Sequence, residues 1–229
     1  MKFLRHLACP KCGSKDNLGE YDDHFFCFGC RYYKKKDDIQ SIKLRMTQQE
    51  LNDIADYTLK TTDEIPVEAK RWLFSYGILP NEIKELGIKW NVEHQLLVLI
   101  QTPDYWQGRT FGNQKMKYLS KGNKPLTVYG KGDKLVCVED VLSAIKISRL
   151  SPEWCAMPLL GSHLSERAET YLKSTFDTVV VWLDRDKAIN AVKIARNLKQ
   201  KGLNSSVVIS PKDPKEYSKG EISEWLKNK

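Results

Sequence analysis

The sequence predicts a chain of three parts: a small β module that binds metal, an α+β segment, and a C-terminal α/β domain with a mainly parallel, Rossmann-like sheet. Two observations carry this prediction. Four of the six cysteines lie in the first 30 residues as Cys-x-x-Cys pairs, and strands alternate with helices after residue 133. The predicted boundaries are 1–36 for the β module, 37–48 for a flexible linker, 49–132 for the middle segment and 133–229 for the C-terminal domain.

The composition is typical of a globular protein with a basic surface. Hydrophobic residues make up 41% and charged residues 29% of the 229 residues. No apolar run approaches the ~20 residues of a membrane-spanning helix, and the N-terminus lacks the apolar core of a signal peptide. The sequence therefore predicts a cytosolic protein without a membrane partner. Its formal charge of +8 fits a polyanionic partner, but a solvated basic surface would explain the charge equally well.

The two cysteine pairs predict a zinc ribbon. Cys9 and Cys12 form the first pair, Cys27 and Cys30 the second, and short strands are expected between them at 17–21 and 24–28. Because four thiolates leave no open coordination position, the zinc is expected to be structural. A module this small also needs the metal in order to fold. A redox dithiol is the alternative, although a single pair would serve that chemistry.

The ribbon also contains side chains that suit nucleic acid, because aromatic rings provide stacking surfaces and lysines contact phosphates. The candidates for DNA binding are His24, Phe26, Tyr32 and Lys34. Packing within the module is the alternative for the aromatic rings, and an ordinary strand position is the alternative for His24. From residue 34 to 48 the chain is polar and shows neither helical nor strand periodicity, which predicts an irregular tether.

The middle segment is predicted to combine helices with a pair of strands. Helices are expected at 47–59, 66–76 and 80–86, and strands at 95–101 and 105–111. Gly77 and Gly87 are expected to end the second and third helices.

Basic residues, aromatic rings and glycines are interleaved after the second of these strands. This composition suits phosphates and stacked bases, and a flexible, solvated hairpin is the alternative. The segment is expected to face solvent. The candidates for nucleotide or phosphate binding are Arg109, Lys115, Lys117 and Lys121.

The C-terminal domain is predicted to follow a β-α-β-α-β-α-β-α pattern. Strands are expected at 134–138, 155–160, 178–183 and 205–209, and helices from 141 and at 166–173, 188–201 and 220–226. Cys137 and Cys155 lie in apolar sequence and are predicted to be buried thiols.

Carboxylates follow three of these strands. Glu139 follows the first strand, Asp184 and Asp186 follow the third, and Asp213 follows the fourth. Because parallel strands end at one edge of a sheet, these side chains are expected to surround one site. Carboxylates that repel one another are stabilised by Mg²⁺, whose waters phosphate can replace. A helix N-cap is the alternative for any single aspartate.

The C-terminal acids resemble those of the TOPRIM domain, which is found in DnaG-type primases, topoisomerases, some nucleases and recombination mediators. The matching elements are 138–140, 183–186 and 212–217. The cysteine ribbon, a helical element at 69–88 and a basic element at 109–130 precede them in the order of phage and bacterial replicative primases. The resemblance to DnaG-type and phage-type primases thus covers nearly the whole chain. Two positions depart from the family pattern: Asp140 stands where glycine is usual, and Ser143 where an acid is usual.

The resemblance implies a DNA primase, an enzyme that makes short RNA primers on single-stranded DNA from ribonucleoside triphosphates. Glu139, Asp184, Asp186 and Asp213 would be catalytic, and the first three would hold two Mg²⁺ ions, for which Mn²⁺ can substitute. Because no helicase phosphate loop is present and no helicase-docking domain follows Lys229, the primase is expected to stand alone. A separate replicative helicase and a DNA polymerase would be its partners, in the bacterial host cytoplasm during phage replication.

Three other interpretations stay open. A non-catalytic recombination mediator combines a zinc site with a TOPRIM domain, but usually places a helix-hairpin-helix before the zinc site. A TOPRIM nuclease needs the same acids but no ribbon that reads a template. The serine at position 143 also leaves open an inactive, DNA-binding descendant.

Overall fold

The computed structural model describes residues 2–35, 59–112 and 115–229. The chain divides into two compact units, Met1–Asp56 and Tyr57–Lys229. The predicted linker at 37–48 and nearly all of the predicted helix at 47–59 lie outside the described residues.

The first unit contains an antiparallel sheet. Its strands, in the order in which they pair, are β1 (Phe3–Leu7), β2 (Leu18–Tyr21), β3 (His24–Cys27) and β4 (Tyr33–Lys35). The two strands predicted between the cysteine pairs are therefore confirmed as β2 and β3. The prediction of an irregular tether from residue 34 is wrong at its start, because Lys34 lies in β4 and pairs with Phe25. A three-residue edge strand is too short to show periodicity in the sequence.

The second unit begins with two helices and an antiparallel sheet. In chain order these are α1 (Val67–Ser75), α2 (Pro80–Glu85), β5 (Lys89–Asn91), β6 (Leu96–Thr102), β7 (Tyr105–Thr110) and β8 (Tyr118–Gly122). The strands pair in the order β5-β6-β7-β8. Both predicted helices and both predicted strands in this region are confirmed. Gly77 and Gly87 follow the helices with φ of 79° and 66°, a left-handed conformation that glycine adopts without strain.

The rest of the second unit is an α/β domain with a fully parallel sheet. Its elements are β9 (Lys134–Val138), α3 (Val141–Ser148), β10 (Trp154–Pro158), α4 (Glu166–Thr175), β11 (Thr178–Trp182), α5 (Ala188–Gln200), β12 (Asn204–Val207) and α6 (Lys219–Leu226). The strand order is β10-β9-β11-β12. The predicted alternation of strands and helices is thus confirmed.

Helices cover both faces of the parallel sheet, which explains why three of its strands, β9, β10 and β11, are apolar on both sides. Side chains of α4 and α5 pack on one face, and side chains of α3 and α6 pack on the other. Cys137 and Cys155 are buried in the first of these layers, as predicted. Burial raises the pKa of the Cys137 thiol to about 12, so this thiol is unreactive at neutral pH.

Helix α3 belongs to two cores at once. Its residues Val141, Leu142 and Ile145 pack with Ala69 and Leu73 of α1, whereas its opposite face packs on the parallel sheet. The antiparallel sheet and the α/β domain therefore share a core. Within the described ranges, none of the helices combines the length and apolarity that a bilayer crossing requires.

Candidate active site and metal centres

The four cysteines of the first unit converge on one point. Their Sγ atoms all lie within 4.8 Å of one another, with 3.7 Å between Cys9 and Cys30 and 3.8 Å between Cys12 and Cys27. A tetrahedral site with Zn–S bonds of about 2.3 Å requires S–S separations of about 3.8 Å. The donor set and its spacing therefore fit Zn²⁺ in a closed, structural site.

The ring of His24 is part of the packing of the ribbon. It is 7% exposed, stacks on Tyr21 with 4.5 Å between ring centroids, and its Nδ1 lies 2.7 Å from Asp23 Oδ1. An ordinary strand position is therefore favoured for His24, since little ring surface is left for a ligand.

The other three candidates for DNA binding are more accessible. Phe26, Tyr32 and Lys34 are partly exposed, and their contact with DNA stays a prediction. Two further rings offer more surface, since Phe28 is 57% and Tyr33 52% exposed. The two most exposed of these rings, Phe28 and Tyr33, thus lie around β3 and β4, and Phe3 of β1 is also 44% exposed.

The parallel sheet brings Glu139 and Asp184 to the same edge. Strands β9 and β11 are neighbours in which Val138 pairs with Trp182, so the residues just beyond them emerge side by side. Oε2 of Glu139 and Oδ1 of Asp184 are buried and have no hydrogen-bond partner among the described residues. Buried carboxylate oxygens without partners are destabilising, and a cation would satisfy both.

The electrostatics of Glu139 and Asp184 also favour a bound cation. Burial, followed by the charges of Glu139 and Asp213, raises the pKa of Asp184 to about 7. Burial, followed by the charge of Asp186, also raises the pKa of Glu139. Oxygen donors that are desolvated and mutually repelling suit Mg²⁺, which binds through one or two carboxylates and keeps several waters. Glu139 and Asp184 thus fit a magnesium site.

Asp186 and Asp213 differ from these two acids, because each already has an ammonium partner. Asp186 lies 2.6 Å from Lys187 Nζ with its side chain 70% exposed, and Asp213 Oδ2 lies 2.8 Å from Lys215 Nζ. Within the described part of the chain, only the cysteines form a set of three or more ligand atoms within 4.8 Å. The structure thus places all four predicted acids near one edge without closing them into a single ligand cage, and their catalytic roles stay predictions.

A chain of hydrogen bonds fixes the segment that contains Asp213. The buried Nε1 of Trp182 donates to Ser210 Oγ at 2.7 Å, and Ser210 Oγ donates to the carbonyl of Lys212 at 2.7 Å. The backbone N–H of Lys212 donates in turn to the hydroxyl of Tyr217 at 3.2 Å. The end of β11 and the loop after β12, which contains Asp213, are thereby held in a defined relation.

The prediction that the basic segment faces solvent is wrong for Arg109, whose side chain packs against aromatic rings. Its Cζ lies 4.6 Å from the ring centroid of Trp72, 5.7 Å from that of Phe111 and 5.8 Å from that of Tyr118, and its Nε is buried. A guanidinium at these distances stabilises the fold by cation–π attraction. Lys117, by contrast, is exposed, as are Lys115 and Lys121.

Tyr118 lies in the basic segment that begins at Arg109. Its charge environment includes the carboxyl ends of the parallel strands, an acidic edge formed by Glu139, Asp140, Asp184 and Asp213. Burial, followed by the charge of Asp140, raises its pKa, while Lys215 and Arg109 act in the opposite direction. Tyr118 of β8 therefore lies close enough to Asp140 and Lys215 for their charges to affect it.

Comparison with known proteins agrees with this geometry. Residues 138–218 match the family model described as Toprim-like. The zinc-binding and RNA polymerase domains of the Aquifex aeolicus primase have the same fold, with a TM-score of 0.55 and 16% identity over 100% of this chain and 80% of that chain. The chain has the DnaG-type primase fold.

Two other structures support the same conclusion. The DnaG primase catalytic domain bound to ssDNA gives a TM-score of 0.55 at 16% identity over 83% of this chain and 80% of that chain. The E. coli primase catalytic core gives 0.55 at 14% identity over 72% of each chain. A search of curated proteins gave no significant match.

Asp140 and Ser143, the two positions that depart from the usual TOPRIM pattern, are hydrogen-bonded to each other in this DnaG-type fold. Oδ1 of Asp140 accepts hydrogen bonds from the backbone N–H groups of Leu142 at 2.9 Å and Ser143 at 3.1 Å, and thereby caps α3. Oγ of the buried Ser143 donates to Asp140 Oδ2 at 2.8 Å. Ser143 therefore orients a neighbouring carboxylate, where an acid at this position would add a charge.

Sequence reasoning missed Asp140 and Lys215 as members of this site. Lys215 Nζ lies 3.0 Å from Asp140 Oδ2, across 75 residues of sequence. The only local signal is that Asp140 directly follows Glu139 and that Lys215 lies two residues after Asp213. A separation of this size gives no reason to pair the two residues before the fold is known.

Substitutions of Arg109 and Lys117 are expected to separate folding from nucleotide use. Lys117→Ala should leave the melting temperature unchanged and lower kcat/KM for ribonucleotides about tenfold to a hundredfold, since one charge-assisted phosphate contact contributes about 1.5–3 kcal/mol. Arg109→Ala should lower kcat/KM and also destabilise the second unit by about 1–2 kcal/mol, because it removes the cation–π contacts. Thermal melts and steady-state kinetics measure both effects. Unchanged kinetics in both variants would show that neither side chain takes part in nucleotide binding.

Proposed function

We propose that this chain is a DNA primase that synthesises short RNA primers on single-stranded DNA. The observation that carries the proposal is the pair of buried, unpartnered carboxylate oxygens of Glu139 and Asp184 at the edge of a Toprim-like sheet within a DnaG-type fold. Oxygen donors at this position suit the metal-assisted transfer of a nucleotidyl group.

The residues divide the work as follows. Glu139 and Asp184 would hold magnesium, which when bound would neutralise phosphate charge and polarise the phosphorus that is attacked. Lys117 and Lys121 on and beside β8 contact the triphosphate, and Arg109 positions the rings next to them. The 3′-hydroxyl of one nucleotide attacks the α-phosphate of the next, and pyrophosphate leaves. The exposed carboxylate of Asp186 adds negative charge beside Glu139 and, second to burial, raises the pKa of that residue.

The ribbon supplies recognition of the template. Partly exposed aromatic rings around β3 and β4, together with Lys34, suit stacking on bases and contact with the phosphate backbone. The related catalytic domain that binds ssDNA supports single-stranded DNA as the ligand. A separate replicative helicase and a DNA polymerase complete the proposed assembly, in the cytoplasm of a bacterial cell during phage replication.

One assay tests this function against its alternatives. The purified chain is incubated with single-stranded DNA of varied sequence, labelled ribonucleotides and Mg²⁺, and the products are separated by length. Oligoribonucleotides that depend on the template are the expected result. Cut DNA without oligoribonucleotides would identify a nuclease, and DNA binding with neither product would identify a recombination mediator or an inactive descendant.

A further inference from the structure

The ammonium group of Lys215 lies inside the acidic edge. Its Nζ is 3.0 Å from Asp140 Oδ2 and 2.8 Å from Asp213 Oδ2, and its side chain is 12% exposed. Lysine side chains usually extend their charged group into water. Here two carboxylates, which belong to different loops at the end of the sheet, take the place of that water.

The position of Lys215 is fixed by the fold. It lies in a short 3-10 helix, Pro214–Glu216, and its backbone carbonyl accepts a hydrogen bond from Lys146 Nζ of α3 at 2.7 Å. Burial opposes its charged form, but Asp140 and Asp213 outweigh burial and raise the pKa of Lys215 well above its ordinary value. The ammonium is therefore a permanent positive charge at this edge.

The acids of the edge fall into two groups. Asp140 is fully occupied by the cap of α3, by Ser143 Oγ and by the ammonium, and Asp213 is bound to the same ammonium. Glu139 and Asp184, in contrast, each keep a buried oxygen without a partner among the described residues. One pair of acids already has its cation, and the other pair does not.

We propose that the ammonium of Lys215 takes the place of a divalent cation between Asp140 and Asp213, so that this edge of the sheet binds one divalent cation, at Glu139 and Asp184, where the sequence predicted two. The inference deepens the proposed function and rests on its magnesium site at Glu139 and Asp184. A fixed positive charge repels a dication brought between the same carboxylates. Lys215 thus supplies charge next to the magnesium site without an exchangeable coordination position.

The test counts bound metal and uses neither nucleotide nor template. The zinc-loaded full chain is titrated with Mn²⁺, and free Mn²⁺ is measured by its electron paramagnetic resonance signal. The unchanged protein is expected to bind one Mn²⁺ per chain, and Lys215→Met is expected to bind a second over the same concentration range. Lys215→Arg keeps the charge and is expected to bind one. Lys219→Met, at the exposed start of α6, is the matched control and is also expected to bind one.

A thermal melt covers the case in which Lys215→Met fails to fold. Loss of the ammonium leaves Asp140 and Asp213 uncompensated, so the variant is expected to be destabilised without metal and to regain stability with Mn²⁺ by a larger shift in melting temperature than the unchanged protein. Equal stoichiometry and affinity in both proteins would overturn the inference, as would two ions in the unchanged protein or a Met variant that stays unfolded in excess Mn²⁺. No ion in the unchanged protein and one in Lys215→Met would support the role of Lys215 and count against the magnesium site of the proposed function.

Discussion

Asp184→Asn is expected to abolish primer synthesis and at the same time to stabilise the metal-free protein at neutral pH. Outer-shell partners of metal ligands already affect metal affinity or activity about 10–100-fold. Loss of a direct ligand should therefore lower primer synthesis by more than about a hundredfold. DNA binding should be retained, because the proposed function assigns this carboxylate to metal and not to DNA. Product gels and a DNA-binding titration measure the two effects.

The stabilising effect follows from the pKa of Asp184, which is raised from 3.8 to about 7. The folded state binds this proton more tightly than the unfolded state, so the contribution of Asp184 to stability is greatest below pH 4 and declines as the pH rises to about 7. Asparagine does not titrate. In magnesium-free buffer the variant should therefore gain stability relative to the unchanged protein across this window, reaching roughly 1–2 kcal/mol, because the half-buried carboxyl is partly screened by solvent.

Asp177→Asn is the matched control, because Asp177 is exposed and precedes the opposite end of the same strand, β11. It should change neither primer synthesis nor the pH dependence of the melting temperature. Added Mg²⁺ should stabilise the unchanged protein and the Asp177 variant but not Asp184→Asn. Primer synthesis by Asp184→Asn at the unchanged rate would show that the magnesium site has been assigned to the wrong residues.

Cys27→Ser is expected to release the zinc and unfold the ribbon while the second unit stays folded. Structural Zn²⁺ contributes about 10–16 kcal/mol to modules of this size, and a serine hydroxyl is a poor substitute for a thiolate. The ribbon core consists of little more than Cys9, Leu18 and the fully buried Cys27, so it cannot fold without the metal. The second unit has cores of its own and does not depend on zinc. If the ribbon recognises the template as proposed, initiation at preferred template sites should also be lost.

Elemental analysis and regional hydrogen exchange measure this result. Cys155→Ser makes the same change at a thiol buried in the parallel sheet and should keep one zinc ion per chain. Freshly purified, unchanged protein that contains no zinc would contradict the assignment, and so would a Cys27→Ser variant whose β2 and β3 amides stay protected from exchange.

Local sequence was sufficient wherever one element determines its own structure. The Cys-x-x-Cys pairs predicted the ribbon, because both ligands of a pair lie on a single turn. Apolar runs such as 178–183 predicted buried strands, since only a strand covered on both faces is apolar throughout. Strand β8 was missed because only its first two side chains, Tyr118 and Leu119, are apolar and partly buried, while the next three residues are exposed, so the segment shows no alternation in the sequence.

Side-chain environment was less predictable than the elements themselves. Arg109 was expected in solvent because its neighbours in sequence are polar and glycine-rich, but Trp72 of α1 covers it from another element. His24 was a candidate for DNA binding with an ordinary strand position as the alternative, and the structure shows its ring stacked on Tyr21 across the β2–β3 hairpin. In both cases the residue that packs against the side chain is close in space, and no pattern in the sequence indicates the contact.

By itself the sequence determined the zinc ribbon, the order of strands and helices in the α/β domain, and the presence of acids at the ends of parallel strands. These features follow from periodicity and ligand spacing, which act over a few residues. Only the tertiary structure decided which acids share an environment. It left Glu139 and Asp184 with unpartnered buried oxygens and gave Asp213 and Asp140 the ammonium of Lys215. The physical reason is that burial and charge depend on distances through space, and the fold sets those distances between residues as far apart in sequence as Asp140 and Lys215.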